Sequence, residues 1–285
     1  MDASQAITPP QDVDVTANGV KFRVLVRGQG PLILFLHGFP DTAHTWDHAA
    51  SVMAANGFRT AAPFMRGYAP TQVPADGKYD PDTLGQDALE LIPALGEQQA
   101  IVVGHDWGAS AAYAAVGLNP SRVRFLVTVA IPHLAGVKPT LALAWAVRHF
   151  VSLRLPGAAA RIRRGNLEYL EMLRRRWSPA WNIPPEEPRN IRNALGPPGH
   201  LEAALGYYLA AKPRLSKGES ELVKVPAAAF AGEGDAVEVD VYRRCASRYT
   251  AGYEVVPMPG GHFMHREHPG IFAQHLLRLL SPLRG

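Results

Sequence analysis

The chain has 285 residues, enough for one large α/β domain with an insertion or for two domains. Its 47% apolar and 19% charged residues exclude a disordered chain, and 26 glycines and 25 prolines without a triplet period exclude collagen. A net charge of +4 is too mild to argue for nucleic acid, and the single Cys245 excludes both an intrachain disulfide and a multi-cysteine zinc site.

Residues Met1 to Pro10 carry no basic stretch leading into an apolar run, and apolar stretches such as Leu141 to Val147 fall short of the roughly 20 residues that span a bilayer. A cytoplasmic protein with no membrane partner is the expectation. In chain order, Val13 to Val15 and Lys21 to Val26 flank Asn18-Gly19, the signature of a hairpin. Strands are then expected at Leu32 to Leu36, Arg59 to Pro63, Ile101 to Gly104, Phe125 to Ile131, Ala227 to Ala231 and Tyr253 to Val256. Most are short continuous apolar runs, as parallel strands buried on both faces require. Helices are expected at Asp82 to Leu95, Ala109 to Leu118 and Ile271 to Leu280. Alternating strands and helices predict a doubly wound α/β sheet. The alternation stops between about His133 and Lys217, where helical patterns, arginines and proline pairs replace strands. This stretch reads as a helical insertion over the carboxyl ends of the strands, where open α/β sheets bind ligands and where a lid would exclude water. The expected organisation is core 1–132, helical cap 133–217 and core 218–285.

The most informative motif is Gly104-His105-Asp106-Trp107-Gly108, an apolar strand followed by a glycine-flanked turn and a helix of small residues. That construction pushes the central side chain, Asp106, into a cleft as a nucleophile. An aspartate N-cap would explain Asp106 alone, not the glycines on both sides. Leu36-His37-Gly38-Phe39-Pro40 ends an earlier strand. The backbone N–H of Phe39, with that of Trp107, would form a two-donor oxyanion hole. Taken alone, Gly38 and Pro40 would mark only a turn. Late in the chain, Pro259-Gly260-Gly261-His262-Phe263 places His262 on a loop after a strand. His265 and His268 lie towards the next helix and are expected to be solvated. Asp235, on the loop after the preceding strand, is the expected partner of His262, with Glu233 its competitor and Glu238 and Asp240 weaker ones. The order nucleophile, acid, histidine is that of α/β-hydrolases.

These motifs, with Arg66-Gly67-Tyr68-Ala69-Pro70, resemble those of α/β-hydrolase-fold enzymes of the epoxide hydrolase branch over about residues 12 to 282. The resemblance implies a mostly parallel eight-stranded sheet with helices on both faces, a helical cap, and no cofactor or metal. It implies an ester between Asp106 and a small apolar epoxide, hydrolysed to a vicinal diol by water that His262 and Asp235 activate. Members of that family polarise the epoxide oxygen with two cap tyrosines. Leu205-Gly206-Tyr207-Tyr208 matches the second, so Tyr208 is implied as catalytic. The first falls on His149, ahead of Pro156-Gly157, which departs from the tyrosine pattern. Tyr207, Phe39 and Trp107 are expected at the substrate, with aromatic packing as the alternative for Tyr207.

Haloalkane and fluoroacetate dehalogenases share most of these motifs. The haloalkane reading lacks a side-chain halide donor at Phe39. The fluoroacetate reading lacks the arginines that would stand at Trp107 and Ser110, and Leu126 to Ile131 offers no acid. A non-catalytic binding protein of the same fold is the alternative of another class. Arg161, Arg163, Arg164, Arg174, Arg175 and Arg176 form two clusters expected to be solvated; attraction of an acidic substrate or surface is the weaker reading. A homodimer is compatible with the sequence.

Overall fold

The structure, a computed structural model, describes residues 9–138 and 140–284. The strands are β1 (Gln11–Ala17), β2 (Val20–Arg27), β3 (Leu32–Leu36), β4 (Arg59–Pro63), β5 (Ala100–His105), β6 (Val123–Val129), β7 (Ala227–Gly232) and β8 (Tyr253–Met258). They form one eight-stranded sheet in the order β1-β2-β4-β3-β5-β6-β7-β8. β2 runs antiparallel to β1 and β4, and every other pairing is parallel. The β1–β2 hairpin turns at Asn18 and Gly19, both at positive φ, as a tight two-residue turn demands. β3 and β5 are buried at every position, matching their unbroken apolar sequences. β1, at the sheet edge, alternates, and its exposed Asp12 and Asp14 meet Arg23 and Lys21.

The helices of the first part of the core are α1 (Asp47–Ala55), α2 (Pro81–Ala94) and α3 (Trp107–Leu118). The β3–α1–β4 crossover runs one way along the sheet, and β4–α2–β5 and β5–α3–β6 run the other. With right-handed crossovers this puts α1 on one face and α2 and α3 on the opposite face. α2 lies so close to α3 that a Cβ on Gly85 would fall 2.8 Å from Ala114 Cβ. Such proximity explains why α3 is built of alanines and glycines. The reversal of direction leaves a crevice beyond the carboxyl ends of β3 and β5, the favoured ligand position of such sheets.

Between β6 and β7 the described chain has no strand. It folds into α4 (Leu141–Ala146), α5 (His149–Arg154), α6 (Ala158–Arg164), α7 (Glu168–Trp177), α8 (Glu186–Leu195), α9 (His200–Ala210) and α10 (Lys217–Ser220). The chain ends with α11 (Val239–Arg244) between β7 and β8, then α12 (Met264–Glu267) and α13 (Pro269–Leu280), which packs against α1. No helix among the described residues is long and apolar enough to cross a membrane.

Two expectations are corrected here. Arg174 is not solvated: it is fully buried, its guanidinium 2.6 Å from Glu187 and stacked over Trp181. A buried cation of this kind requires a carboxylate, and Glu187, also held by Arg266, supplies it. Nor is His265 solvated: it is buried against Trp46, with Nε2 2.8 Å from Thr45 Oγ1.

Candidate active site

Asp106 occupies the sharp turn between β5 and α3. Its backbone is at φ 53°, ψ −118°, a conformation that L residues adopt only under constraint. The side chain makes no capping bond to α3, so the N-cap explanation of this aspartate fails. The flanking glycines are steric necessities. A Cβ on Gly104 would fall 2.2 Å from Gly108 O, and one on Gly108 would fall 2.1 Å from Leu36 O. Gly38 is equally constrained, because its Cβ would meet Asp106 Cβ and Oδ1 at 2.4 Å. The two loops therefore close on each other, and Phe39 N–H donates to Asp106 Oδ1 at 2.8 Å. Trp107 opens α3, where a backbone N–H has no acceptor within the helix.

His262 Nε2 lies 3.4 Å from Asp106 Oδ2, and Nδ1 lies 3.1 Å from Asp235 Oδ2. Asp235 Oδ1 accepts from Ala236 N–H, which fixes the carboxylate. Glu233 and Glu238 are exposed, and Asp240 pairs with Arg243, so Asp235 is the acid that reaches the histidine. The histidine loop is clamped from the helical segment. His262 N–H donates to Trp177 O at 3.0 Å, and Phe263 N–H donates to Ser178 Oγ at 2.9 Å. Glu267 accepts from Gly261 N–H at 2.7 Å.

Burial opposes the charge of His262, but the carboxylates of Asp235 and Asp106 outweigh it and raise the imidazole to about 10. Burial likewise opposes ionisation of Asp106, yet His262 and the Phe39 N–H hold its carboxyl below the ordinary value. The resting site is an aspartate–imidazolium–aspartate array. His105 and His265 lie behind it. Burial pushes His105 down to about 3 and His265 well below its ordinary value, so both stay neutral. With Asp41 they are a group among the described residues with ligand atoms close enough to hold a metal. Their Nε2 atoms bond the His262 carbonyl and Thr45, whereas their Nδ1 atoms and Asp41 Oδ2 are buried without a hydrogen-bond partner among the described residues.

Asp106, Trp107, His149, Asp235 and His262 line one cavity of about 620 Å³. Ile131, Leu134, Val147, Phe150 and Trp177 give it an apolar wall, and Ser110 and Glu219 add a polar pair. Phe39 and Tyr208 pack edge to face with each other, and Tyr208 also packs against Trp107 and His149. The Tyr208 hydroxyl is buried without a hydrogen-bond partner. The Trp107 indole lies near enough to offset part of the rise in its pKa, though not in hydrogen-bonding geometry. Burial, and then the charge of Asp106, raise this phenol far above its ordinary value, so it keeps its proton.

Tyr207, expected at the substrate, is not among the residues that line the cavity, although its ring meets that of Trp107, which does line it, edge to face. Its hydroxyl donates to Arg66 O at 2.9 Å, and its ring stacks on Tyr79 and meets Tyr68. Successive helical residues point about 100° apart, so α9 turns the two tyrosines to different neighbours, and of the two it is Tyr208 that feels the charge of Asp106. Arg66 is itself held by Asp87 through two bonds of 2.6 Å. Trp177, which lines the cavity and holds His262, was missed by the sequence reading; it belongs to no motif and is brought in only by the fold of the helical segment.

Residues 31–269 match the family model described as alpha/beta hydrolase fold. An epoxide hydrolase of Caballeronia sordidicola is 39% identical over 123 residues, 43% of this chain and 37% of that protein. The chain thus spans well under half the length of that relative. An AB hydrolase superfamily protein of Bacillus subtilis is 27% identical over 280 residues, 94% of this chain and 96% of that protein. The crystal structure of an epoxide hydrolase from Vigna radiata superposes with a TM-score of 0.79 at 22% identity, covering 99% of this chain and 100% of that one, a likeness of fold. The matched span, the sheet order and the turn that carries Asp106 agree: the chain belongs to the alpha/beta hydrolase fold family.

Proposed function

We propose that the protein is an epoxide hydrolase that makes vicinal diols through an ester on Asp106. The observation that carries this reading is an aspartate, not a serine, on the strained turn, beside His262 and below the unpartnered phenol of Tyr208. A carboxylate nucleophile suits displacement at saturated carbon, where its ester can be hydrolysed afterwards. Asp106 Oδ2 attacks an epoxide carbon and the ring C–O bond breaks. The departing oxygen takes a proton from Tyr208, with His149 as second donor. Water then loses a proton to His262 and attacks Asp106 Cγ. Oxyanion charge develops on Oδ1, where Phe39 N–H already donates and Trp107 N–H is free to help. Collapse breaks the bond between Cγ and the ester oxygen: the departing diol oxygen takes the proton held by His262, and the new carboxyl passes its proton to the Tyr208 phenolate, which restores the carboxylate.

The resting imidazolium releases its proton to solvent once the ester has formed, and so becomes a base. Esterification removes the Asp106 charge, one of the two that hold the proton on His262. Residues 133–217 act in this reading as a lid. Val147, His149, Phe150 and Trp177 share the cavity with Asp106, which supports that role. The relatives named as epoxide hydrolases support the substrate class. Lys212 and Arg214 line the same cavity as Ser110 and the buried acid Glu219, so the dehalogenase alternative is decided by the product assay.

The test is product formation from aryl, terminal alkyl and trans-disubstituted epoxides beside haloalkanes and fluoroacetate, with Asp106→Ala as the blank. Diol from epoxides, absent in the blank, supports the reading. Halide without diol, or diol undiminished in the blank, overturns it.

A further inference from the structure

We propose that the outer surface of α4 to α6 docks on an anionic lipid surface. From Leu134 to Leu167 the sequence contains Lys138, Arg148, Arg154, Arg161, Arg163 and Arg164 and not one aspartate or glutamate. Large apolar side chains are interleaved with these cations and stand in solvent: Leu141 is 92% exposed, Trp145 68%, Val151 67% and Leu155 50%. α5 shows how this surface is made. His149 and Leu153 turn inward, while Val151 and Arg154 turn outward. Trp145 is exposed with the Arg148 guanidinium 4.2 Å above its ring. Of the six cations, Arg163 pairs with Glu202, whereas Arg148, Arg154 and Arg161 donate to backbone carbonyls and form no ion pair among the described residues.

Exposed tryptophan and leucine among arginines is the chemistry of a surface that rests in a headgroup layer, with rings and aliphatic chains at the acyl boundary and guanidinium groups on phosphates. Charge complementarity selects the occupant. A second copy of the chain would oppose the same cations across a two-fold axis, which disfavours a dimer through this face. A soluble polyanion would use the cations but leave Leu141, Val151 and Leu155 in water. Docking would also bring Val147, half-way between surface and cavity lining, to the lipid. The inference does not depend on the reaction at Asp106.

Flotation of the full chain with vesicles tests it, comparing equal parts phosphatidylglycerol and phosphatidylcholine with phosphatidylcholine alone. Binding to the anionic vesicles should be at least about tenfold tighter, and about 0.5 M NaCl should release most of the protein. The double variant Leu141→Ser, Trp145→Ser should bind about tenfold more weakly with an unchanged melting temperature, since both side chains are exposed. Equal or absent binding to both vesicles would overturn the proposal, as would a double variant that binds like the parent. Retention on heparin without vesicle binding would assign the face to a soluble polyanion and overturn it. A dimer that the double variant dissolves, again without vesicle binding, would do the same.

Discussion

Replacing Asp106 by asparagine imitates the charge of the proposed ester and isolates its effect on His262. The two side chains are 3.4 Å apart and largely buried. At that distance, with an effective dielectric constant of about 20, their attraction is about 5 kcal/mol. A tenfold change in proton affinity corresponds to about 1.4 kcal/mol, so removing the charge should bring the imidazole from about 10 down to about 6.5. Asp235 remains, which keeps the value from falling further. Titration of nitrogen-labelled histidine by NMR reads this directly, since His262 is the strongly raised histidine of the site. Loss of the Asp106 charge also sets the kinetics. Formation of the ester should be insensitive to pH above the lowered pKa of Asp106, whereas its hydrolysis should quicken as pH rises through about 6.5. An Asp106→Asn protein whose His262 still titrates at the parent pH would refute the coupling and the switch from acid to base built on it.

Tyr208→Phe should slow ring opening by about 100-fold or more in single-turnover kinetics, because it removes a proton donor. Tyr207→Phe should leave that rate nearly unchanged but cost about 1–3 kcal/mol in denaturant unfolding, because it orphans the buried Arg66 carbonyl. Arg66→Met should destabilise the fold by about 3–5 kcal/mol, since Asp87 would be left as an uncompensated buried charge. His262 has a folded pKa of about 10 against an ordinary 6.5, so its contribution to stability is complete below pH 6.5 and is lost as pH rises towards 10. His262→Gln should flatten that part of the stability–pH curve; an identical slope in the variant would show that other groups carry it.

Much of the core was legible because its constraints are local. Leu32–Leu36 and Arg59–Pro63 are strands over the same residues that the sequence indicated, since a short apolar run bounded by turn residues has few other uses. The turn around Asp106 was legible because only glycine fits on either side of it. Helix Asp47–Ala55 went unassigned: its alanines give a weak pattern, and Trp46 at its start provides no side-chain cap. The burial of His265 and Arg174 was invisible for another reason. Thr45 lies 220 positions from His265, and the carboxylate that neutralises Arg174 sits on a separate helix. Adjacent Tyr207 and Tyr208 look alike in sequence and differ only in the direction from which α9 approaches the core. Partners brought together by the fold cannot be read from neighbours in the chain.

The most direct test of the covalent account is a single turnover of an aryl epoxide by excess protein in water labelled with oxygen-18. If water attacks Asp106 Cγ, mass spectrometry of the peptide containing Asp106 will show one labelled oxygen, and the first diol released will carry none. Label in the diol with an unlabelled Asp106 peptide would mean that water attacks the epoxide directly, and the ester on Asp106 would have to be abandoned.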